Sequence, residues 1–431
     1  MKALHELDAA EAVSLLRDGA IRSEELVRAC LDRIGADDAR IGAFEHVDPE
    51  AALAAARRID GMSPRPPLAG LPVAVKDIID TADLPTECGF VGYRGRRPER
   101  DAACVARLRA AGGVVLGKTV TTEFAFFQPG RTRNPHDLSR TPGGSSSGSA
   151  AAVAARLVPA ALGSQTAGSI IRPASFCGVV GFKPTHGMLP LDGVSPFAPS
   201  LDTIGFLVRR AADVRVLVEA LLPPAAGPLP RRDPTPTNGA PRIALCRTEQ
   251  WPLADRSTQR IVEETAARLV RAGARVADLD LGPDFGGLAD AQRTIMAAEA
   301  ARTFRPILAQ HGETLSAVLR DLVREGERVG ADAEGAACRQ RDRCRELLDG
   351  VFARFEVLLT PSAIGEAPIG LQSTGDPAFN RIWTLLGTPC VSLPAAGGPA
   401  GMPVGVQLVG PLAGDAALVG FAEWVERALE G

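Results

Sequence analysis

Pro142–Pro173 reads PGGSSSGSAAAVAARLVPAALGSQTAGSIIRP, and the fold turns on how this stretch is read. Two glycine- and serine-rich clusters, Gly143–Ser149 and Gly163–Ser169, flank a run of small and apolar residues. Ala150–Ala155 contains good helix formers and no breaker, so a helix is predicted there. Serines just before it can cap its free N–H groups. Leu157–Leu162 is a short apolar run that reads as a buried strand. The order is therefore loop, helix, strand, loop, which folds the second cluster back toward the first. On composition alone each cluster would be a flexible linker. Apolar sequence pressing in from both sides argues instead for loops held against a core, where glycine lets backbone approach a ligand. Consecutive N–H groups in a turn such as Ala167-Gly168-Ser169 can cradle an oxyanion or a phosphate. Within the stretch there is no Gly-x-x-x-x-Gly-Lys-Ser/Thr pattern, which sets aside a nucleotide loop at this place.

Upstream, Val73–Val75 is a short apolar run ending in two charges, Lys76 and Asp77. A lysine beside an aspartate at a strand end is usually a solvated ion pair, and Asp77 is expected only to position the local turn. Together with the serine clusters, however, Val73-Ala74-Val75-Lys76-Asp77 resembles the signature of the amidase signature family. The family pattern is close to G-G-S-S-(G/S)-G-S followed by G-T-D-T-G-G-S-I-R-x-P-A. The resemblance implies a Ser–cis-Ser–Lys triad, with Ser169 as nucleophile, Ser145 as the bridging cis-serine and Lys76 as base. The spacing between these positions also suits the family. It further implies an oxyanion hole made by the backbone N–H groups of Thr166, Ala167, Gly168 and Ser169. In similar amidases the loop before the serine cluster lines the acyl pocket, which makes Phe127 and Gln128 candidate substrate contacts, alongside Gly144 and Gln165.

Gly178–Thr185, Ser200-Leu201-Asp202 and Gly405–Gly410 look like further motifs of the family. The resemblance covers most of the chain from about residue 8 and is weakest between Pro223 and Gly350. It implies an α/β fold in which residues 1–431 form one compact α/β/α unit around a large mixed sheet covered by helices. A helical N-terminal segment to about residue 62 and an exposed Pro/Gly-rich connection at about 222–241 belong to that unit. Three departures stand out. Ser164-Gln165-Thr166-Ala167 replaces the common Thr-Asp-Thr-Gly, and Gln165 removes a negative charge. Ala167 would cost about 1 kcal/mol or more if its φ had to be positive. Arg172 falls one position later than in the commonest Ser-Ile-Arg spacing, so no role is carried over for it.

The remaining chain alternates strand-like and helical runs, which argues for a layered α/β fold. Ser23 reads as a helix N-cap, Pro49–Ile59 as a helix, Leu315–Leu348 as one long helical run, and Ile243–Cys246 and Arg275–Leu279 as strands. With 45% hydrophobic and 23% charged residues the chain is an ordinary globular one, and its net charge of −3 makes no case for nucleic acid or an anionic membrane. No apolar run is long enough to span a bilayer, and the N-terminus lacks the pattern of a signal peptide. Eight cysteines without a C-x-x-C pair fit a reducing cytoplasm. Cys338 and Cys344 are not expected to bind a metal, nor does any His-Glu-x-x-His motif suggest a metal or other cofactor.

These readings favour a cytoplasmic hydrolase that converts a small carboxamide to an acid and ammonia or an amine, with the small-molecule amide and at most a second copy of itself as partners. The alternatives are the amidase-like subunit of a tRNA-dependent amidotransferase, and a catalytically silent relative. The five histidines offer no competing triad, since none accompanies a Gly-x-Ser-x-Gly elbow.

Overall fold

The computed structural model describes residues 2–222 and 241–430. The connection expected at about 222–241 therefore lies, except for its end residues, outside the described residues. Among the described residues eleven strands make one mixed sheet. They are β1 (Phe44–Val47), β2 (Pro72–Lys76), β3 (Val114–Thr119), β4 (Ala160–Gln165), β5 (Val180–Lys183) and β6 (Thr203–Val208). The later five are β7 (Arg242–Cys246), β8 (Arg275–Leu279), β9 (Val357–Pro361), β10 (Cys390–Gly397) and β11 (Pro403–Val409). Their order across the sheet is β1-β3-β2-β4-β6-β5-β10-β11-β9-β7-β8.

Two parallel patches sit in this sheet. β3, β2 and β4 run parallel, and so do β9, β7 and β8. Antiparallel pairing through β6, β5, β10 and β11 joins them. β2, β3 and β4 are buried along their whole length. That matches their near-continuous small and apolar sequence, as expected of strands covered on both faces.

The helix of the serine-rich stretch spans Ser147–Ala154, and the apolar run after it becomes β4, slightly later than predicted because Pro159 precedes it. The two serine clusters meet as their loop–helix–strand order requires. Ser146 Oγ donates to the Ser164 carbonyl at 3.1 Å, and Ser149 Oγ to the Leu162 carbonyl at 3.0 Å.

Several local expectations are corrected. The N-terminal segment is helical over Ala9–Arg17, Ser23–Ile41 and Pro49–Asp60, but the edge strand β1 interrupts it. β1 is only half buried, so its sequence, Phe-Glu-His-Val, lacks the apolar run that would mark it. Ser23 is the first residue of its helix rather than the cap; its hydroxyl is buried and donates to the Gly70 carbonyl at 2.7 Å. The run from Leu315 breaks into Ala317–Glu327 and Ala331–Phe352 around Gly330. By its letters Gly112–Thr119, GGVVLGKT, is a phosphate-loop pattern. It forms strand β3 instead of a loop opening a helix, and Lys118 Nζ lies 3.1 Å from Asp77 Oδ1.

Candidate active site

Lys76 ends β2, and β4 beside it ends at Gln165, so the lysine and the second serine cluster meet at one edge of the parallel patch. Lys76 is fully buried. Its Nζ donates to Ser145 Oγ at 2.6 Å and to Ser164 Oγ at 2.8 Å. Among the described residues no carboxylate lies within ion-pair distance of it. Burial holds its pKa well below the usual lysine value; the charge of Asp202 opposes that and the charge of Arg172 adds to it. Ser164 is a site residue that sequence reasoning misses. Its only signal there is its place in the second cluster, at the end of an apolar run.

Ser145 and Ser169 both line one small cavity of about 20 Å³, and the Gly144–Ser145 peptide bond is cis. The described hydrogen bonds run from Lys76 to Ser145. The Ser169 hydroxyl makes none among the described residues and faces the cavity. The turn that carries Ser169 is oriented by its carbonyls. The Thr166 carbonyl accepts from Gln292 Nε2 at 3.0 Å, that of Ala167 from Thr384 Oγ1 at 2.8 Å, and that of Gly168 from the Arg172 N–H at 3.0 Å. A trans peptide points its N–H opposite to its carbonyl. The N–H groups of Ala167, Gly168 and Ser169 are thus turned away from these anchors, and among the described residues they have no protein acceptor. Thr166, whose own N–H is equally free, is fixed by its hydroxyl, which donates to Asp202 Oδ1 at 2.5 Å. Asp202 in turn accepts the N–H groups of Phe197 and Ala198, and burial pushes its carboxyl up to about 6.

Ala167 does not have a positive φ, so its methyl carries no conformational cost. Gly168 is the residue the turn needs, since a Cβ there would sit 2.4 Å from Asn380 Oδ1.

Phe127 lines the cavity, with Phe126, Phe197 and Met296 as further apolar wall. Two expected substrate contacts are placed elsewhere. Phe124 and Ala125 adopt left-handed backbone, with φ of 45° and 62°, which turns Phe126 and Phe127 inward and leaves Gln128 exposed on a neighbouring cleft. Gln165 is buried behind the turn that carries Ser169. Its Oε1 accepts the N–H groups of Ile170 and Ile171, and its Nε2 donates to Thr384 Oγ1. An amide there can both donate and accept, whereas the family's aspartate can only accept. Gly144 stands beside the cavity, its carbonyl accepting from Arg172 Nη2 at 2.6 Å.

Arg172 is the unexpected member of the site. It is 2% exposed, lines the cavity and stacks its guanidinium 5.6 Å from the Phe127 ring centre. Nη2 donates to Gly144 and Thr374, while Nε and Nη1 have no hydrogen-bond partner among the described residues. Burial, helped by the nearby Arg381, lowers its pKa to about 9, so it is cationic at neutral pH.

One other group among the described residues could hold a metal ion. Glu45, His46 and Glu87 place ligand atoms within 4.8 Å of one another, off the cavity lined by Ser145 and Ser169. Glu45 is already paired with Arg131 at 2.8 Å, and Glu87 accepts the Gly95 N–H at 2.6 Å.

The Amidase family model matches residues 25–419. The chain belongs to the amidase family. It is 34% identical to a glutamyl-tRNA(Gln) amidotransferase subunit from Chloroflexus aggregans, over 99% of this chain and 97% of that protein. Among solved structures it resembles the native peptide amidase of Stenotrophomonas maltophilia, at 31% identity and a TM-score of 0.82, covering 99% of this chain and 97% of that one. It also resembles a chain from a vestigial protein complex that reveals the evolutionary origins of an s-triazine catabolic enzyme, at 29% identity and a TM-score of 0.87, over 98% of both chains.

These relatives overturn one expectation. A partner set limited to a small-molecule amide and a second copy, with nucleic acid set aside on net charge, does not stand beside relatives that match over nearly their whole length and are subunits of an enzyme named for a tRNA. The average charge of one chain is no guide here: one subunit can leave contact with an anionic partner to another chain. Among the described residues no helix is long and apolar enough to cross a membrane.

Proposed function

We propose that this amidase-family chain cleaves a carboxamide through an acyl-enzyme on Ser169, and does so as the amidase-type subunit of an amidotransferase. The observation that carries the chemistry is Lys76, buried, without a counter-ion among the described residues and bonded only to hydroxyls. Burial lowers the pKa of a lysine so placed, which favours its neutral, proton-accepting form. Ser169 Oγ attacks the carbonyl carbon as its proton passes to Ser145 and that of Ser145 to Lys76 Nζ. The carbonyl oxygen becomes an oxyanion held by the N–H groups of the 166–169 turn. When the C–N bond breaks, the proton returns along the same path to the leaving nitrogen, and ammonia departs. Water then attacks the acyl-enzyme by the same relay and releases the acid.

Arg172 supports an amide that also carries a carboxylate, because two of its buried nitrogens lack acceptors at the cavity wall. The subunit reading rests on end-to-end similarity to subunits of glutamyl-tRNA(Gln) amidotransferases. A free-standing amide hydrolase is the second reading, favoured by neighbours described as an amidase and a peptide amidase over almost their full lengths.

The test begins with ammonia release from carboxylate-bearing and neutral amides by the wild type and Ser169→Ala, together with covalent labelling by a fluorophosphonate. Turnover and labelling that vanish together in the variant are expected. Neither occurring in the folded wild type would make the chain a silent family member. The native mass of the tagged chain, purified from its own cells, then separates subunit from free enzyme.

A further inference from the structure

The turn that carries Ser169 is held by a chain of hydrogen bonds that reaches outward to a half-buried arginine. Gln292 is fully buried in the helix Leu288–His311, beside Ala291, Ile295 and Met296. A buried amide costs stability unless both its ends are satisfied. Here both are. Nε2 donates to the Thr166 carbonyl at 3.0 Å and to Met296 Sδ at 3.6 Å, and Oε1 accepts from Arg381 Nη1 at 2.8 Å. The two outer partners fix which way the amide faces. A guanidinium only donates and a carbonyl only accepts, so the oxygen must face Arg381 and the nitrogen Thr166.

Arg381 opens the helix Arg381–Leu386, which packs against Leu288–His311. It is half-buried, and among the described residues its hydrogen bond to Gln292 is its only one, with no carboxylate within ion-pair distance. Thr384 lies three residues further on, on the same face of the helix. Its hydroxyl donates to the Ala167 carbonyl at 2.8 Å. One short helix thus holds two successive carbonyls of the turn, that of Ala167 directly and that of Thr166 through Gln292. The Thr166 carbonyl shares a rigid peptide plane with the Ala167 N–H, one of the donors proposed for the oxyanion. Neither Arg381 nor Gln292 lines the cavity that holds Ser145 and Ser169.

We infer that Arg381 is a positioning residue for the oxyanion-binding turn, acting through Gln292; its consequence for rate rests on the acyl-enzyme chemistry proposed above. Arg381 fixes the Gln292 amide, Gln292 fixes the plane of the Thr166–Ala167 peptide, and that plane aims the Ala167 N–H. The aim matters most in the transition state, because the full negative charge on oxygen develops only there. Loss of Arg381 should therefore lower kcat and leave KM nearly unchanged. An arginine that bound the substrate itself would raise KM instead.

The test is a double-mutant cycle in the full-length chain: Arg381→Met, Gln292→Met and both together, each confirmed as folded by circular dichroism. Amide hydrolysis, the rate of fluorophosphonate labelling and hydrogen exchange of the segment 164–172 are measured on all of them. Arg381→Met should lower kcat roughly tenfold and Gln292→Met roughly 100-fold, since misaiming one donor forfeits part of its effect. The double variant should be no slower than Gln292→Met alone, whereas independent damage would multiply the two losses. Arg381→Lys keeps a donor for Gln292 Oε1 and should recover most of the rate. Exchange of 164–172 should quicken in both single variants and no further in the double. Multiplying losses in kcat, a rise in KM at constant kcat, or unchanged exchange in Arg381→Met each overturn the inference. A folded wild type that neither turns over amides nor takes the label sinks the acyl-enzyme reading instead. The exchange pattern, which needs no catalysis, then decides by itself whether Arg381 holds the turn.

Discussion

Lys76 and Lys118 lie on neighbouring parallel strands, Val75 of β2 facing Lys118 of β3, and both are fully buried. Their surroundings differ in one respect. Lys118 Nζ lies 3.1 Å from Asp77 Oδ1, and it donates to Thr86 Oγ1 at 2.6 Å and to the Pro85 carbonyl at 3.1 Å. Among the described residues Lys76 meets two serine hydroxyls and no carboxylate. Burial pulls both ammonium groups down, and for Lys118 the charge of Asp77 and its contact push back. Both lysines are buried, so what separates them is the counter-ion, which Lys118 has and Lys76, the proposed base, lacks among the described residues. Asp77, next to Lys76 in sequence, turns its side chain to the other lysine and accepts the Glu87 N–H at 3.0 Å, which holds the turn after β2.

The comparison can be broken by substitution. Ser169→Ala should cost the most, roughly 100,000-fold or more in kcat/KM, because no other group stands ready to bond to carbon. Lys76→Met should cost roughly 10,000-fold while the urea midpoint stays at or above that of wild type, since an unpaired buried amine is replaced by an apolar side chain. Lys118→Met should do the reverse. It leaves Asp77 buried without its counter-ion and should cost about 3–5 kcal/mol in urea denaturation, with the kcat of the folded fraction largely kept. If Lys118→Met were the stable, inactive variant, the roles assigned here would be exchanged.

Ser145→Ala is expected to be milder than Ser169→Ala, roughly 100- to 1,000-fold in kcat/KM, because water can pass a proton where it cannot form the acyl bond. The pH profile sharpens the contrast further. A depressed lysine pKa means the folded state binds fewer protons than the unfolded chain between that value and the ordinary one near ~10.4. The stability contribution of Lys76 should therefore rise with pH through that window, whereas activity should rise with pH through the folded value and level off above it. The activity limb should be absent from the residual rate of Lys76→Met. Smallest of all, Ser164→Ala should lower kcat about tenfold and move the same limb, whereas the matching change beside Lys118, Thr86→Val, should leave the limb where it is.

The proposed trio can be picked out of the sequence because its members sit in short motifs whose local geometry does much of the positioning: a strand end for Lys76 and tight small-residue turns for Ser145 and Ser169. Phe127 is legible for the same reason. Gln128 reads as its neighbour in the pocket wall because the left-handed turn at Phe124 and Ala125 lacks the glycine that would announce it. Gln165 reads as a substrate contact because its partners, Thr384 among them, are tertiary and leave no trace near it in sequence. Arg172 reads as a residue without a role because its shifted spacing breaks the motif, yet the helix Ile171–Cys177 carries it into the cavity wall regardless. In the fold, the long apolar strands are readable, while the half-buried β1 and the break before Ala331 depend on packing partners far along the chain.

The anchors of the nucleophile turn also bear on how the protein is made. Gln292 and Thr384 hold the carbonyls of Thr166 and Ala167 from segments synthesised long after Ser169. A chain still on the ribosome with those segments unmade has the lysine and both serines but cannot orient the peptides that receive the oxyanion. On the proposed mechanism, amide cleavage begins only when the last third of the chain has emerged and docked, and a truncated product carrying the complete serine-rich signature lacks an oriented Ser169 turn.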